Sequence, residues 1–245
     1  MDLTHLSLPV LFTASIIAGA VAAVSGFGIG SVLTPLLLLW YPAHWAVALV
    51  AIPHALASVI RWIRLRHEVD RRVFVQFGIA SAVGGLAGAL LQASLRSVLL
   101  TAVLGVLMLV AGLTEIVRRP IPLPEGRGAR LVAGTLSGFF GGLVGNQGGI
   151  RSAALLGFGL TPKQLVATAT ASAVLVDLAR LPVYLVKRGD VLAAEMPLIL
   201  TASVGVVIGT FVGVPLLGRI PTKAYRPMVG LLLVLLGLSL LRSAA

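Results

Sequence analysis

Arg151, Asp177 and Arg180 are charged side chains inside long apolar stretches, where their charge has to be compensated. An arginine at membrane depth costs at least roughly 2.5–3.5 kcal/mol unless it is paired or solvated. Arg151 lies two residues after a glycine-rich motif, in the first turn of a predicted helix, where the helix dipole repels a cation. A bound anion would offset both effects. The alternative is that the Arg151 guanidinium caps carbonyl groups of neighbouring helices.

Asp177 and Arg180 lie three residues apart, on one face of the predicted helix, and can form an ion pair. That pair is either a neutralised salt bridge that holds helices together, or a proton-sensitive carboxylate beside a second anion contact. His54 is either a helix-contact residue or a proton relay, because histidine titrates near neutral pH. His54, Asp177 and Arg180 are therefore the candidate coupling or gating residues. Arg61 lies beside a basic segment, and we expect it at the cytoplasmic boundary.

Two glycine-rich motifs interrupt the most apolar parts of the chain: Ser-Gly-Phe-Gly-Ile-Gly from Ser25 and Gly-Asn-Gln-Gly-Gly from Gly145. Irregular backbone is tolerated in a bilayer only where it is buried in protein or lines a cavity. The helix that restarts after each motif aims its N–H groups at that cavity, which favours an anion. Alternatively, the glycines only permit close packing. The predicted substrate-binding residues are Ser25, Gly26, Gly28, Gly30, Asn146, Gln147, Gly148, Gly149 and Arg151.

The sequence lacks the residues that other kinds of chemistry would need. The chain has no cysteine, its four histidines are scattered, and none of its eight acidic residues falls in the glycine motifs. Neither a GxSxG motif nor a GxxxxGK[ST] loop is present. The sequence therefore predicts no catalytic residue, no metal site and no cofactor, and we expect a protein that is not an enzyme.

The composition places these residues in a bilayer. Hydrophobic residues make up 58% of the 245-residue chain, charged residues 11%, and the mean hydropathy is +1.05. Soluble domains are roughly 45–50% apolar and about 25% charged. The net charge of +11 falls mostly in short gaps between apolar runs, as in cytoplasmic loops, so we expect the lipid bilayer and no nucleic acid as a partner.

The hydropathy pattern predicts an all-α polytopic membrane protein. Six stretches are read as transmembrane helices: 43–60, 73–91, 98–117, 165–186, 197–217 and the shorter 227–241. The regions 8–40 and 129–157 contain the glycine motifs and fit neither one crossing nor two. We interpret each as a broken or re-entrant helical hairpin whose tip lies inside the membrane.

The chain contains an internal repeat. A constant offset, 145 − 26 = 119, relates several positions of the two halves. The matched pairs are Gly26 with Gly145, Gly30 with Gly149, Ser58 with Asp177, and Arg61 with Arg180. Residues 1–119 and 120–245 are thus predicted to be two repeats of one membrane domain, each a hairpin plus three transmembrane helices. The distribution of basic residues slightly favours inverted repeats with both termini outside over parallel ones.

Gly-Phe-Gly-Ile-Gly from Gly26, followed by Pro35, together with the second-half motif from Ser137 to Gly149, resembles the TauE/SafE sulfite-exporter family, also called the toluene-sulfonate uptake family. The resemblance covers essentially the whole chain. It implies a transporter of the bacterial inner (plasma) membrane for sulfur-containing or other organic anions, such as sulfite, sulfonates or sulfoacetate. Ala154 stands where the family often has a second proline, which leaves sulfite itself open as the substrate.

Together these features predict a secondary transporter that moves a small anion by alternating access, with the substrate at the two hairpin tips near the midplane. Proton coupling and a homo-oligomer are compatible with the sequence. An anion channel on the same scaffold is the main alternative. A membrane enzyme acting on a lipid phosphate, or a scaffold subunit without transport, fits the sequence less well.

Overall fold

The computed structural model describes residues 7–25, 29–117, 126–145, 148–216 and 222–244. The described residues are almost entirely helical, and none of them lies in a strand. The helices are α1 Leu8–Ser25, α2 Gly30–Leu37, α3 Ala43–Leu65, α4 Arg71–Val73, α5 Ile79–Gln92, α6 Ser97–Val117, α7 Arg127–Val144, α8 Gly148–Leu156, α9 Pro162–Ala194, α10 Met196–Gly213 and α11 Thr222–Ala244. Short 3-10 turns follow α3 and α10, at Arg66–Glu68 and Val214–Leu216.

In the part of the chain that the structure describes, five helical segments are long and apolar enough to cross a membrane, and they coincide with the five longer predicted spans. They are Ala43–Glu68, Arg71–Gln92, Ser97–Thr114, Pro162–Ala194 and Met196–Gly213. The second of these contains α4, a π-helical turn at Phe74–Gly78, and α5. The sixth predicted span lies within α11, whose apolar part, Gly230–Ala244, is shorter.

α9 extends beyond the predicted span 165–186 at both ends. It begins with a capping box, in which Thr161 and Gln164 each bond the other's backbone N–H, and Pro162 occupies the first turn. Its C-terminal part continues through charged residues to Ala194, with non-helical angles at Arg188 (φ −140°, ψ 22°). Two helical pieces therefore meet at a kink at Arg188, two residues after the predicted end of the span.

Neighbouring helices approach each other through glycine. On α5 and α7, Cβ atoms added at Gly88 and Gly138 would meet the backbone carbonyl oxygens of Phe139 and Ser81. The pair α1–α10 is equally close, since a Cβ at Gly209 would meet the Ile16 carbonyl oxygen. Helices in a membrane associate through such close backbone contacts, because no hydrophobic force drives them together there.

The first broken region turns back on itself. α1 runs parallel to α10, since Ser15 lies against Gly205 and Ala23 against Gly213. The start of α3 lies near the start of α10, where burial and a hydrogen bond to Glu195 raise the pKa of Tyr41 to about 12. α3 also runs parallel to α10, because Arg64 near its end lies 4.2 Å from the Phe211 ring centroid. The chain must therefore return between α1 and α3, and the return contains α2.

The second broken region turns back in the same way. α5 runs parallel to both α7 and α9, so the chain must return between α7 and α9, and that return contains α8. The contacts that set these directions are Ser81 with Gly138, Gly85 with Gly142 and Val176, and Gly78 with Ser172. α2 has 8 residues and α8 has 9, too few to cross a bilayer core of about 30 Å.

Candidate functional site

A buried charged cluster lies where α3 packs against α9. The Nδ1 atom of His54 lies 2.8 Å from Oδ2 of Asp177. Oδ1 of Asp177 accepts from Nε of Arg180 at 2.9 Å and lies 2.8 Å from its Nη2. The three side chains are at most 2% exposed. The predicted Asp177–Arg180 ion pair is confirmed, and His54 joins it from the other helix.

Arg180 and Tyr184 attach this cluster to the end of α7. Nη1 of Arg180 donates to the Gly141 carbonyl at 2.8 Å, and the Tyr184 hydroxyl donates to the Gly142 carbonyl. The Gly141 carbonyl also accepts from the backbone N–H of Gly145, and the negative end of the helix dipole attracts a cation there. Arg180 thus bonds through all three guanidinium nitrogens and fixes the start of the second hairpin tip. Sequence reasoning missed Tyr184, although it lies one helical turn after Arg180.

Arg151 is buried on α8, with 4% of its surface exposed. Its Nη1 donates to the Ala169 carbonyl of α9 at 3.3 Å, which agrees with the carbonyl-capping alternative for part of the guanidinium. Arg151 also interacts electrostatically with Asp177, Arg180 and Arg61. The arginine after the glycine motif is therefore part of the same charged region as the α3–α9 cluster.

Arg61 is buried in the protein, and its expected position at the cytoplasmic boundary stays a prediction. Its side chain is 4% exposed, and its Nη2 donates to Oγ of Ser58 at 3.3 Å. α3 continues to Leu65, past the end of the apolar stretch, so Arg61 still lies inside the helix. The spacing of His54, Ser58 and Arg61 places them on one face, and Arg61 interacts electrostatically with Asp177.

The two hairpin tips are in contact. Gly30 begins α2, and Gly145 ends α7 in the left-handed conformation, with φ +71°. A Cβ atom added to Gly30 would meet the Gly145 carbonyl oxygen. Gly145 in turn faces Oγ1 of Thr34, which would lie 3.4 Å from an added Cβ. The left-handed φ and the close backbone approach both call for glycine.

Several predicted tip residues fall outside this description. Gly26, Gly28, Asn146 and Gln147 lie outside the described residues, and so does the side chain of Ser25. Gly148 and Gly149 form the start of α8. The structure therefore brings Gly30 into contact with Gly145, and it places Gly148 and Gly149 at the start of the helix that carries Arg151. The other tip contacts stay predictions.

Buried hydroxyl groups lie close to the tips and the arginines. The side-chain oxygens of Thr34 and Ser152 are buried and have no hydrogen-bond partner among the described residues. A buried hydroxyl without a partner costs about 1–3 kcal/mol, and a polar ligand or water removes that penalty. No group of three or more His, Asp or Glu side chains that could hold a metal occurs in the described part of the chain.

Comparison with known families decides the class. The family model described as sulfite exporter TauE/SafE matches residues 11–240, which is nearly the whole chain. The chain belongs to this family. TauE/SafE is a membrane transporter family, so the protein is a multi-pass membrane protein of the anion-exporter type. Searches of curated proteins and of solved structures gave no match.

Membership of the TauE/SafE family confirms the resemblance inferred from the glycine motifs. It agrees with the expectation of a protein that is not an enzyme. Family membership does not point to His54 or Tyr184. Their roles depend on contacts between helices that are far apart in the sequence.

Proposed function

We propose that this TauE/SafE chain is a secondary transporter for a small organic or sulfur-containing anion, sulfite-like or sulfonate-like, in the bacterial inner membrane. The anion binds between the two hairpin tips and Arg151, near the midplane. One observation carries this proposal: the tips touch at Gly30 and Gly145 beside a region with three buried arginines and one buried carboxylate. Such a region favours an anion because each arginine needs a negative or hydrogen-bonding partner at that depth.

The packing supports two inverted repeats, 1–119 and 120–245. α3 and α9 hold corresponding positions in the two halves and run antiparallel. His54 bonds Asp177, while the backbone N–H of Asp70, which follows α3, donates to the hydroxyl of Thr168, which comes before Asp177 in α9. α6 and α11 also correspond and run antiparallel, as an axis in the membrane plane requires. The contacts that set this second direction are Gly105 with Gly237 and Gly112 with Gly230.

The hairpins also pack across the two halves. α1 of the first half packs on α10 of the second, and α7 of the second half packs on α5 of the first. Each hairpin thus packs against a spanning helix of the opposite repeat. In alternating access, movement of one repeat against the other changes which side of the membrane reaches the tips.

The His54–Asp177 contact supports proton coupling. A histidine and a carboxylate that share a proton inside a membrane protein form a common type of relay. Arg180 links Asp177 to the Gly141 carbonyl, next to the tip. A change of protonation at the pair therefore acts directly on the position of α7.

Arg151→Ala tests the binding site. We expect the variant to remain folded and to lose anion flux in proteoliposomes by at least about a hundredfold, because a charged contact in a desolvated site contributes a few kcal/mol. Arg127→Ala is the matched control, since Arg127 is exposed at the start of α7. Normal flux through Arg151→Ala, measured with sulfite, sulfoacetate, taurine, sulfate, lactate and phosphate, would contradict the site.

A further inference from the structure

Arg61 on α3 and Arg180 on α9 lie on two helices that pack against each other. The residue three positions before Arg180 is charged, whereas the residue three positions before Arg61 is neutral. Asp177 precedes Arg180, and Ser58 precedes Arg61. Arg180 uses Nε, Nη1 and Nη2, two of them on the carboxylate. Arg61 donates only from Nη2 to the Ser58 hydroxyl, at 3.3 Å, and its Nε has no acceptor among the described residues.

Among the residues that the structure describes, no carboxylate bonds to Arg61 and offsets its charge. Asp177 is the only buried acidic side chain in the described part of the chain. Both of its oxygens are already used, Oδ1 by Arg180 and Oδ2 by His54. Arg61 therefore keeps a full positive charge at 4% exposure, with an Nε–H donor to spare.

We propose that Arg61 is a substrate-contact residue, and that the oxyanion of the substrate takes the position at Arg61 that a carboxylate takes at Arg180. Ser58 keeps that position open because it is neutral. The ligand class is a small oxyanion with two oxygens that can accept from one guanidinium edge. Arg61 and Arg151 are buried like charges that repel each other, so an anion near them also reduces that repulsion. This inference rests on the proposed anion site and adds a second arginine, from α3, to it.

The deciding experiment compares Ser58→Asp with Ser58→Asn in the full-length chain. Aspartate at position 58 recreates the spacing of Asp177 and Arg180, so it pairs with Arg61 and competes with the anion. Asparagine has nearly the same shape and no charge, so the ratio of the two affinities isolates the charge. We expect Ser58→Asp to bind at least about tenfold more weakly than Ser58→Asn.

Binding is read from the shift in Tm of detergent-purified protein on addition of sulfite or of sulfoacetate. Flux into proteoliposomes is measured separately. Equal affinities for the two Ser58 variants overturn the role of Arg61, and so does the absence of any anion-induced shift in the wild type. Binding without flux in the wild type leaves the Arg61 contact standing and contradicts the transport proposal instead.

Arg61→Gln and Arg64→Gln form the second pair, which decides the matter if Ser58→Asp does not fold. Arg64 is exposed three residues further along α3. We expect Arg61→Gln to lose the anion-induced Tm shift and Arg64→Gln to keep it. If Arg61→Gln melts at a lower temperature but keeps the full shift, Arg61 is a structural residue and the proposal is wrong.

Discussion

The two oxygens of Asp177 connect three parts of the molecule. Oδ2 reaches His54 on α3, and Oδ1 reaches Arg180, which in turn donates to the Gly141 carbonyl of α7. A buried ion pair adds little stability compared with apolar packing, but removal of one partner leaves an uncompensated charge. Asp177 therefore matters mainly because its loss would leave Arg180 buried without a counter-ion.

Asp177→Asn should lower stability by about 3–5 kcal/mol, because Arg180 then stays buried without its counter-ion. The double variant Asp177→Asn/Arg180→Gln should recover part of that loss, since it removes both charges. Melting of the purified protein in detergent checks both expectations. A single variant that melts like the wild type, or a double variant that is no better than the single, would contradict the pairing.

At the scale of helices, the α5–α7 pair is held at backbone contact by glycine. A Cβ atom at Gly138 would overlap the Ser81 carbonyl oxygen, and backbone cannot move aside as a flexible side chain can. α7 also carries the carbonyls to which Arg180 and Tyr184 donate. The separation of α5 and α7 therefore sets the position of the second hairpin tip.

Gly138→Ala should force α5 and α7 apart and reduce both the Tm and the anion flux. Gly128→Ala on the same helix is the control, because no atom lies within 4 Å of an added Cβ there. At that position alanine should be neutral or stabilise by up to about 1 kcal/mol through helix propensity. Loss of stability in both variants would mean that helix packing is not the cause.

The elements and the site differ in how far the sequence predicts them. Apolar run length identifies the spanning helices because the bilayer fixes that length. Asp177 and Arg180 are predictable as a pair because three residues of helix bring them together. His54 and Asp177 lie 123 residues apart, so their contact depends on how α3 packs on α9. The burial of Arg61 was not predicted, because hydropathy reports the ends of apolar runs and not the direction of a side chain.

At the scale of the whole molecule, large apolar side chains face outward, and a few charged side chains are buried inside. Large hydrophobic side chains such as Val83, Val132 and Val186 are 63%, 61% and 82% exposed, as expected of surfaces in contact with lipid. Arg61, Arg151, Asp177 and Arg180 are at most 4% exposed. Apolar side chains on the outer surface and buried charges inside are the reverse of a soluble domain, and we propose that these buried charges form the binding site where the two proposed repeats meet.

Proton coupling predicts a property of the whole transport cycle. Asp177→Asn should remove the dependence of flux on an imposed pH gradient, because the proton-sharing pair with His54 is lost. Passive anion exchange should persist in the variant if it folds. Stopped-flow flux with and without the gradient checks this, and a gradient response equal to that of the wild type would exclude Asp177 as the coupling residue.

The most direct test of the account is accumulation of sulfite or sulfoacetate by proteoliposomes that hold the purified chain under an imposed pH gradient. The account predicts that the wild type concentrates at least one of these anions above its external level and that Arg151→Ala does not. Flux that only equilibrates the two sides would indicate a channel. No movement of either anion would contradict the anion-transport claim.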